Sequence, residues 1–484
     1  MRKLFLLLIA ALLVVSGTTG LMLAYPLPVR AATNYYVNDG FTTGDIYCTA
    51  IGSDANGGLS PSTPKLTIQA LLDANDLDSG DTGYVDTGTY AENVFIVAAD
   101  SGLTLQGAGA ALTIIDGGDS SFCLKLDSLT QGTVTRFTFT DGHTAYGGGM
   151  YINSSNTVSV TDCTFSSNNA TSNGGGLYMY ASDGATITGC TFTGNTANNG
   201  GGLYIHNSAG VGITNCIFNS NDADYGGGIY IYTSDTTVTG CTFSGNTAQD
   251  GGGILAYIAD ATTISGCTFT GNTVSEWGGG LLISSSDSST VSGCTFTGNS
   301  ATDYGGAIYT ETSDTAYNNC TFNTNTAAIG GGMYIETADY ATINDCAFTG
   351  NTASINGGGL HITSTHNTIT DCTFSSNSAG IRGGGAQAYI SRWVTFTGCT
   401  FTGNTANNGG GINIFDGHPT TLSGCTFTGN TGSNYGGGAY LRGQELVAEN
   451  CFYTGNNAGD GAGIFSQDCV NLSVTNCGFA ANNA

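Results

Sequence analysis

The chain has 484 residues, with nine Lys and Arg against 35 Asp and Glu and a formal net charge of −26. So acidic a balance argues against nucleic acid and anionic lipid as direct partners and leaves room for cations. Sixteen cysteines fit an exported protein better than one kept in a reducing compartment.

In chain order, MRK followed by LFLLLIAALLVV reads as the basic and apolar regions of a signal peptide over residues 1–32. The small residues of VRAA offer cleavage after Ala31 or Ala32. No other stretch is apolar and long enough to span a bilayer. The expectation is a secreted protein, extracellular or on the outer cell surface, with no direct membrane insertion once the signal is removed. Residues 33–110 differ from the rest of the chain: a strand in TNYYVNDG, a short amphipathic helix near Leu66–Asn75, then a first coil in GDTGYVDTGTYAENVFI. A helix here would cover the open end of an apolar core and its unpaired strand edge. This layout resembles the start of secreted pectin-lyase-like β-helices.

Residues 111–484 are repeats. CTFTGNTANNGGGLYI at Cys190–Ile205 returns almost unchanged at Cys399–Ile412. Cysteine followed two residues later by an aromatic recurs thirteen times from Cys163 to Cys477, spaced 25, 26 or 27 residues apart. Three residues after each aromatic stands an asparagine, from Asn168 to Asn482, and a glycine triplet follows. A fixed period of this length marks a solenoid. Within CTFT and after the triplet the side chains alternate with period two, which means strand, and Gly and Asn supply the corners. The pattern predicts an all-β parallel β-helix of roughly fifteen coils, each about 26 residues with three short strands, rising about 4.8 Å per coil. Cys, Phe and Asn would form ladders along the axis.

The words F-x-x-N and G-G-[AG]-[ILM], in fixed phase once per coil, resemble the polymorphic outer-membrane protein repeat of chlamydial surface proteins over residues 137–484. The resemblance implies a right-handed helix, surface display and adhesion. GGG is commoner here than GGA, and no C-terminal translocator barrel follows. The chain stops at Ala484 without a visible cap, which leaves two readings, a fragment or an end that associates end to end.

Function would have to lie on the outer face. Two residues past the triplet come Tyr151, Tyr178, Tyr204, Tyr230, Tyr309, Tyr334 and Tyr440, and two further on come Tyr180, His206, Tyr232, Tyr257, Tyr389 and Phe415. An exposed aromatic strip of this kind would bind carbohydrate or a cell-surface protein, although tyrosine also suits a strand and a ring ladder stabilises itself. At one corner stand Asp183 and then, on consecutive coils, Asp235, Asp260, Asp287, Asp314 and Asp339. Stacked carboxylates repel unless a cation intervenes, and calcium is the natural one outside the cell; the alternative is that they cap turns. No cofactor is required otherwise. The runner-up function is a polysaccharide lyase or glycoside hydrolase, with Glu311 and Glu336 in one column of adjacent coils and His361 one coil on. A third reading takes the outward T-x-T pairs, such as Thr268 with Thr270 and Thr400 with Thr402, as an ice-binding array. The cysteine ladder reads as buried packing or as scattered disulfides.

Overall fold

The computed structural model describes residues 31–484, of which Thr33–Ala484 form one compact unit. The expected signal segment, but for its last two residues, lies outside the described part. The unit is a right-handed parallel β-solenoid of about fifteen turns. Its strands lie in four parallel sheets of 15, 17, 16 and 13 strands. One turn shows the rule. Leu203–His206 lies in the first sheet, Val211–Thr214 in the second, Ile217–Asn219 in the third and Asp222–Tyr225 in the fourth. Each strand pairs in register with its equivalent one turn away, as in Leu203↔Ile229 and Phe192↔Phe218.

Three strands per turn are expected from the alternation; the fourth sheet is the addition. Its strands, such as Thr196–Asn199 reading TANN and Asp222–Tyr225 reading DADY, turn only small side chains inward, so hydrophobic alternation does not mark them. Their small inward column, Val274, Ala301 and Ala327, is buried in a cluster of its own.

The main core runs the length of the solenoid. Leu203 and Ile205 enter from the first sheet, Ile213 from the second, Cys216 from the corner and Phe218 from the third, all 0–1% exposed. The phenylalanines stack like coins: Phe192 and Phe218 have centroids 4.7 Å apart and planes 3° from parallel. Burying each ring is worth roughly 1.5–3 kcal/mol. Beside them the asparagines bind one another along the axis. Asn195 donates from Nδ2 to Asn221 Oδ1 at 2.9 Å and to the Phe165 carbonyl at 3.0 Å, while its backbone N–H donates to the same Asn221 Oδ1 at 3.1 Å. An amide at this corner satisfies buried backbone groups that the turn strips from the sheet ladders. The cysteines are free thiols, and Cys190 Sγ donates to the Val160 and Thr188 carbonyls at 3.5 Å. They pack as small apolar residues.

Each triplet glycine has its own reason. Gly200 takes φ +64°, a Cβ on Gly201 would lie 2.6 Å from the Asp222 carbonyl oxygen, and one on Gly202 would lie 2.6 Å from Gly228 O and 2.9 Å from the Phe218 ring. The sharp corner so made turns the fourth sheet against the outer face of the first.

At the N-terminal end a helix spans Ile68–Ala74, inside the expected range, with Thr67 as its cap. The Glu92 carboxylate accepts the Ile68 and Gln69 N–H groups at 2.8 and 3.0 Å. Ile68, Leu71 and Leu72 join the core, so the helix covers that end as expected. Among the described residues no helix is long and apolar enough to cross a membrane.

Candidate functional site: a groove along the first sheet

Because the glycine corner is so tight, the residue just before each triplet leans over the outward face of the first sheet. It forms the wall of a groove whose floor is the residue two past the triplet. Tyr146 lies 5.6 Å from Tyr178, Trp277 5.3 Å from Tyr309 and Tyr304 5.2 Å from Tyr334, centroid to centroid. Leu255, Leu282, Tyr309 and Tyr334 of the floor, with Trp277, Tyr304 and Ile329 of the wall, form an apolar cluster separate from the core. Two cavities open along the groove. One of about 230 Å³ lies among Tyr225, Tyr257, Trp277 and Glu311, and one of about 550 Å³ among Tyr334, Glu336, His361, Arg382 and Tyr389.

This geometry corrects the expected exposed strip. Tyr178, Tyr204, Tyr309 and Tyr334 point outward as the alternation requires, but the wall covers them, and they are only 2–6% exposed. Tyr151 and Tyr230 are half-buried. Burial raises the phenol pKa of Tyr334 to about 12, so the floor hydroxyls stay protonated. The reachable rings are those of the second column: Tyr180, His206 and Tyr232 are half-buried, and Tyr257 is exposed. They stack in series, Tyr180 on His206 at 5.1 Å, His206 on Tyr232 at 4.9 Å and Tyr232 on Tyr257 at 5.8 Å. The wall column (Tyr146, Tyr225, Trp277, Tyr304, Arg382, Tyr435) went unread in the sequence. Its signal was present, since a long side chain stands immediately before the triplet in each of those coils.

The proposed catalytic group is partly brought together. Glu311 and Glu336 are register partners, but Glu311 lines the smaller cavity and Glu336 the larger. Each carboxylate is already engaged: Glu311 accepts from Ser284 Oγ at 3.3 Å and Glu336 from the Tyr309 hydroxyl at 2.5 Å. His361 pairs in register with Tyr334 instead, is 3% exposed, and has its pKa lowered to about 3 by burial. A neutral imidazole of that kind is poorly matched to proton transfer near neutral pH.

At the corner after the first sheet, Asp235, Asp260, Asp287, Asp314 and Asp339 are exposed, and most serve the neighbouring turn. Asp260 accepts from the Asp287 N–H at 2.9 Å, and Asp339 from the N–H and hydroxyl of Thr365 at 2.9 and 2.6 Å. That is turn capping. Burial and the neighbouring Asp287 and Asp339 charges raise the pKa of Asp314. Among the described residues no three His, Cys, Asp or Glu groups come together as a metal ion would need. The outward threonines do align in register, as Thr268↔Thr295 and Thr400↔Thr426, but Asn219, Asn323 and Ser375 interrupt the rows.

Among solved structures the chain resembles a pectate lyase (13% identity, 65% of this chain and 79% of that one, TM-score 0.34). It also resembles a periplasmic alginate epimerase (11%, 72% and 76%, TM-score 0.39) and a tailspike protein of bacteriophage CBA120 (11%, 82% and 56%, TM-score 0.32). At such identities the likeness is one of fold. No curated protein matches the sequence. The family described as right handed beta helix region matches residues 93–269, 201–356 and 334–484 in overlapping stretches, and the chain belongs to that family.

Proposed function

We propose that the protein is a secreted or cell-surface interaction module that binds an extended carbohydrate along the groove. One observation carries the reading: a groove whose wall and floor positions recur with each turn, about 4.8 Å at a time, and carry rings over much of its length. Aromatic faces at a fixed step suit a polymer of repeating units, because each ring covers an apolar sugar face at small cost in entropy. The words shared with the polymorphic outer-membrane repeat, F-x-x-N and G-G-[AG]-[ILM], support surface display and adhesion. The carboxylates Glu311 and Glu336 face different cavities and are each engaged by a hydroxyl, so binding is favoured over hydrolysis.

The test is binding of the purified chain to a glycan array, beside a Tyr232→Ala/Tyr257→Ala variant. Both rings are reachable and outside the core, so the fold should survive. At roughly 0.5–1.5 kcal/mol per ring, the expected loss is about tenfold. Unchanged binding in a folded variant would refute the aromatic column, and shortening of the polysaccharide would replace the binding reading with a catalytic one.

A further inference from the structure

Over most of its length the groove has an aromatic or aliphatic floor: Tyr309, Tyr334, then again Tyr440 and Phe465. In three consecutive turns between them it does not. The floor becomes His361, Gln387 and Asn413, and in the same turns the wall becomes Asn356, Arg382 and Asn408. Polar wall residues occur elsewhere, as at Asn173 and Asp250, but there the floor stays Tyr178 and Leu255. Wall and floor turn polar together only in this window.

The window is also left incomplete by the protein. Asn356 Oδ1 and Asn408 Oδ1 are buried with no hydrogen-bond partner among the described residues, and the His361 imidazole meets the Gln387 side chain. His361 is 3% and Gln387 0% exposed. Unpaired buried polar atoms cost about 1–3 kcal/mol each, so two along one wall, either side of Arg382, call for a ligand that satisfies them. Both are amide oxygens, which demand donors such as hydroxyls.

Charge narrows the choice. Arg382 lines the 550 Å³ cavity together with Asn356 and His361. Its guanidinium carbon sits over the Phe415 ring, 4.4 Å from the centroid, and no carboxylate lies within ion-pair distance of it among the described residues. Arg442 sits over the same ring at 4.6 Å but is held by Asp416 at 3.4 Å and Asp468 at 3.6 Å. The carboxylate that shares the cavity, Glu336, belongs to the strand two turns away, about 10 Å by the turn rise, and is engaged by Tyr309. A guanidinium stacked on a ring keeps its edge free, and that edge matches a planar carboxylate through paired N–H donors.

Resting on the reading of the groove as a carbohydrate channel, we infer that Asn356, His361, Arg382, Gln387, Asn408 and Asn413 form its specificity site and take a sugar residue bearing a carboxylate. The ligand's hydroxyls donate to the amide oxygens, its carboxylate meets the edge of Arg382, and the flanking rings of Tyr334 and Tyr389 cover its apolar faces. No bond is made or broken.

The test is calorimetry on the full chain with two probes: oligogalacturonate, and the same oligosaccharide with its carboxyl groups reduced to alcohols. The wild type should bind the acid form at least about tenfold more tightly. In Arg382→Gln that ratio should fall to about one, and Arg382→Lys should keep part of it. Equal binding of both forms by the wild type, or a preference that survives Arg382→Gln, overturns the inference and leaves the channel reading standing. Binding of neither probe by a folded chain overturns both.

Discussion

Asn325→Ala tests whether the buried amide ladder holds consecutive turns together. Asn325 is 0% exposed. Its Oδ1 accepts from the Asn299 N–H at 2.9 Å and from Asn299 Nδ2 at 3.1 Å, and its Nδ2 donates to the Phe296 carbonyl at 3.1 Å and to Asn351 Oδ1 at 2.9 Å. Truncation removes all of these. Asn351 Oδ1 keeps the Asn325 N–H at 3.0 Å, but the Asn299 N–H, an Asn299 amide proton and the Phe296 carbonyl lose their partners. At about 1–3 kcal/mol for each unsatisfied group, with water entering the small void as relief, the cost should be about 4 kcal/mol. The control is the next residue, Thr326, which is exposed and whose hydroxyl donates only to Ser300 Oγ at 3.1 Å; Thr326→Ala should stay within about 0.5 kcal/mol.

Urea unfolding followed by circular dichroism gives the magnitude, and amide exchange read by mass spectrometry gives the place. In a solenoid each turn touches only its neighbours, so the damage should stay local. Exchange should quicken in peptides spanning residues 296–334, which include the groove wall at Tyr304 and Ile329. It should be unchanged over residues 187–218. If Asn325→Ala costs no more than Thr326→Ala, the ladder is ornament and the argument from buried amides fails.

Two further outcomes follow from burial. The imidazole of His361 titrates near 3 when folded against an ordinary value of 6.5, so the unfolded chain binds a proton that the folded one refuses. Stability should therefore fall as pH drops from about 6.5 towards 3, by up to about 1.4 kcal/mol per pH unit from this group. His361→Gln should flatten that part of the profile, and an unchanged slope would refute the placement. Fourteen of the sixteen thiols are buried, while Cys469 and Cys477 are partly open, so a thiol reagent should label only these two in the native protein. Quick labelling of Cys267 or Cys294 would contradict the packed ladder.

The core was legible because its signals are local and repeated. Cys190, Phe192 and Asn195 recur in phase, and a side chain of period two can point only in or out. The burial of Tyr204 was not legible in the same way. Alternation places it on the outer face correctly, but what covers that face is the end of the fourth-sheet strand before the triplet. The direction in which that strand leaves the corner is set by the left-handed backbone at Gly200, which a count of apolar residues does not register. For the same reason Glu311 and Glu336, neighbours in one column, end up in different cavities: the wall residues between them divide the groove.

The regularity of the repeats argues, in the sequence, for binding over catalysis, since an active site is expected to interrupt the period with an inserted loop. The groove shows why that expectation is too strong for a solenoid. In each turn two positions, the residue before the triplet and the residue two after it, face the same channel whatever they are. Exchanging Tyr334 for His361, Gln387 and Asn413 along the floor, and Ile329 for Asn356, Arg382 and Asn408 along the wall, changes the chemistry of the channel over three turns. The Phe stack, the Asn ladder and the triplets continue beneath it unaltered. The period is kept because the structural ladders and the channel columns occupy different positions of the turn. Reading the repeats as columns aligned on the triplet, one position at a time, exposes such a site where a search for broken spacing cannot.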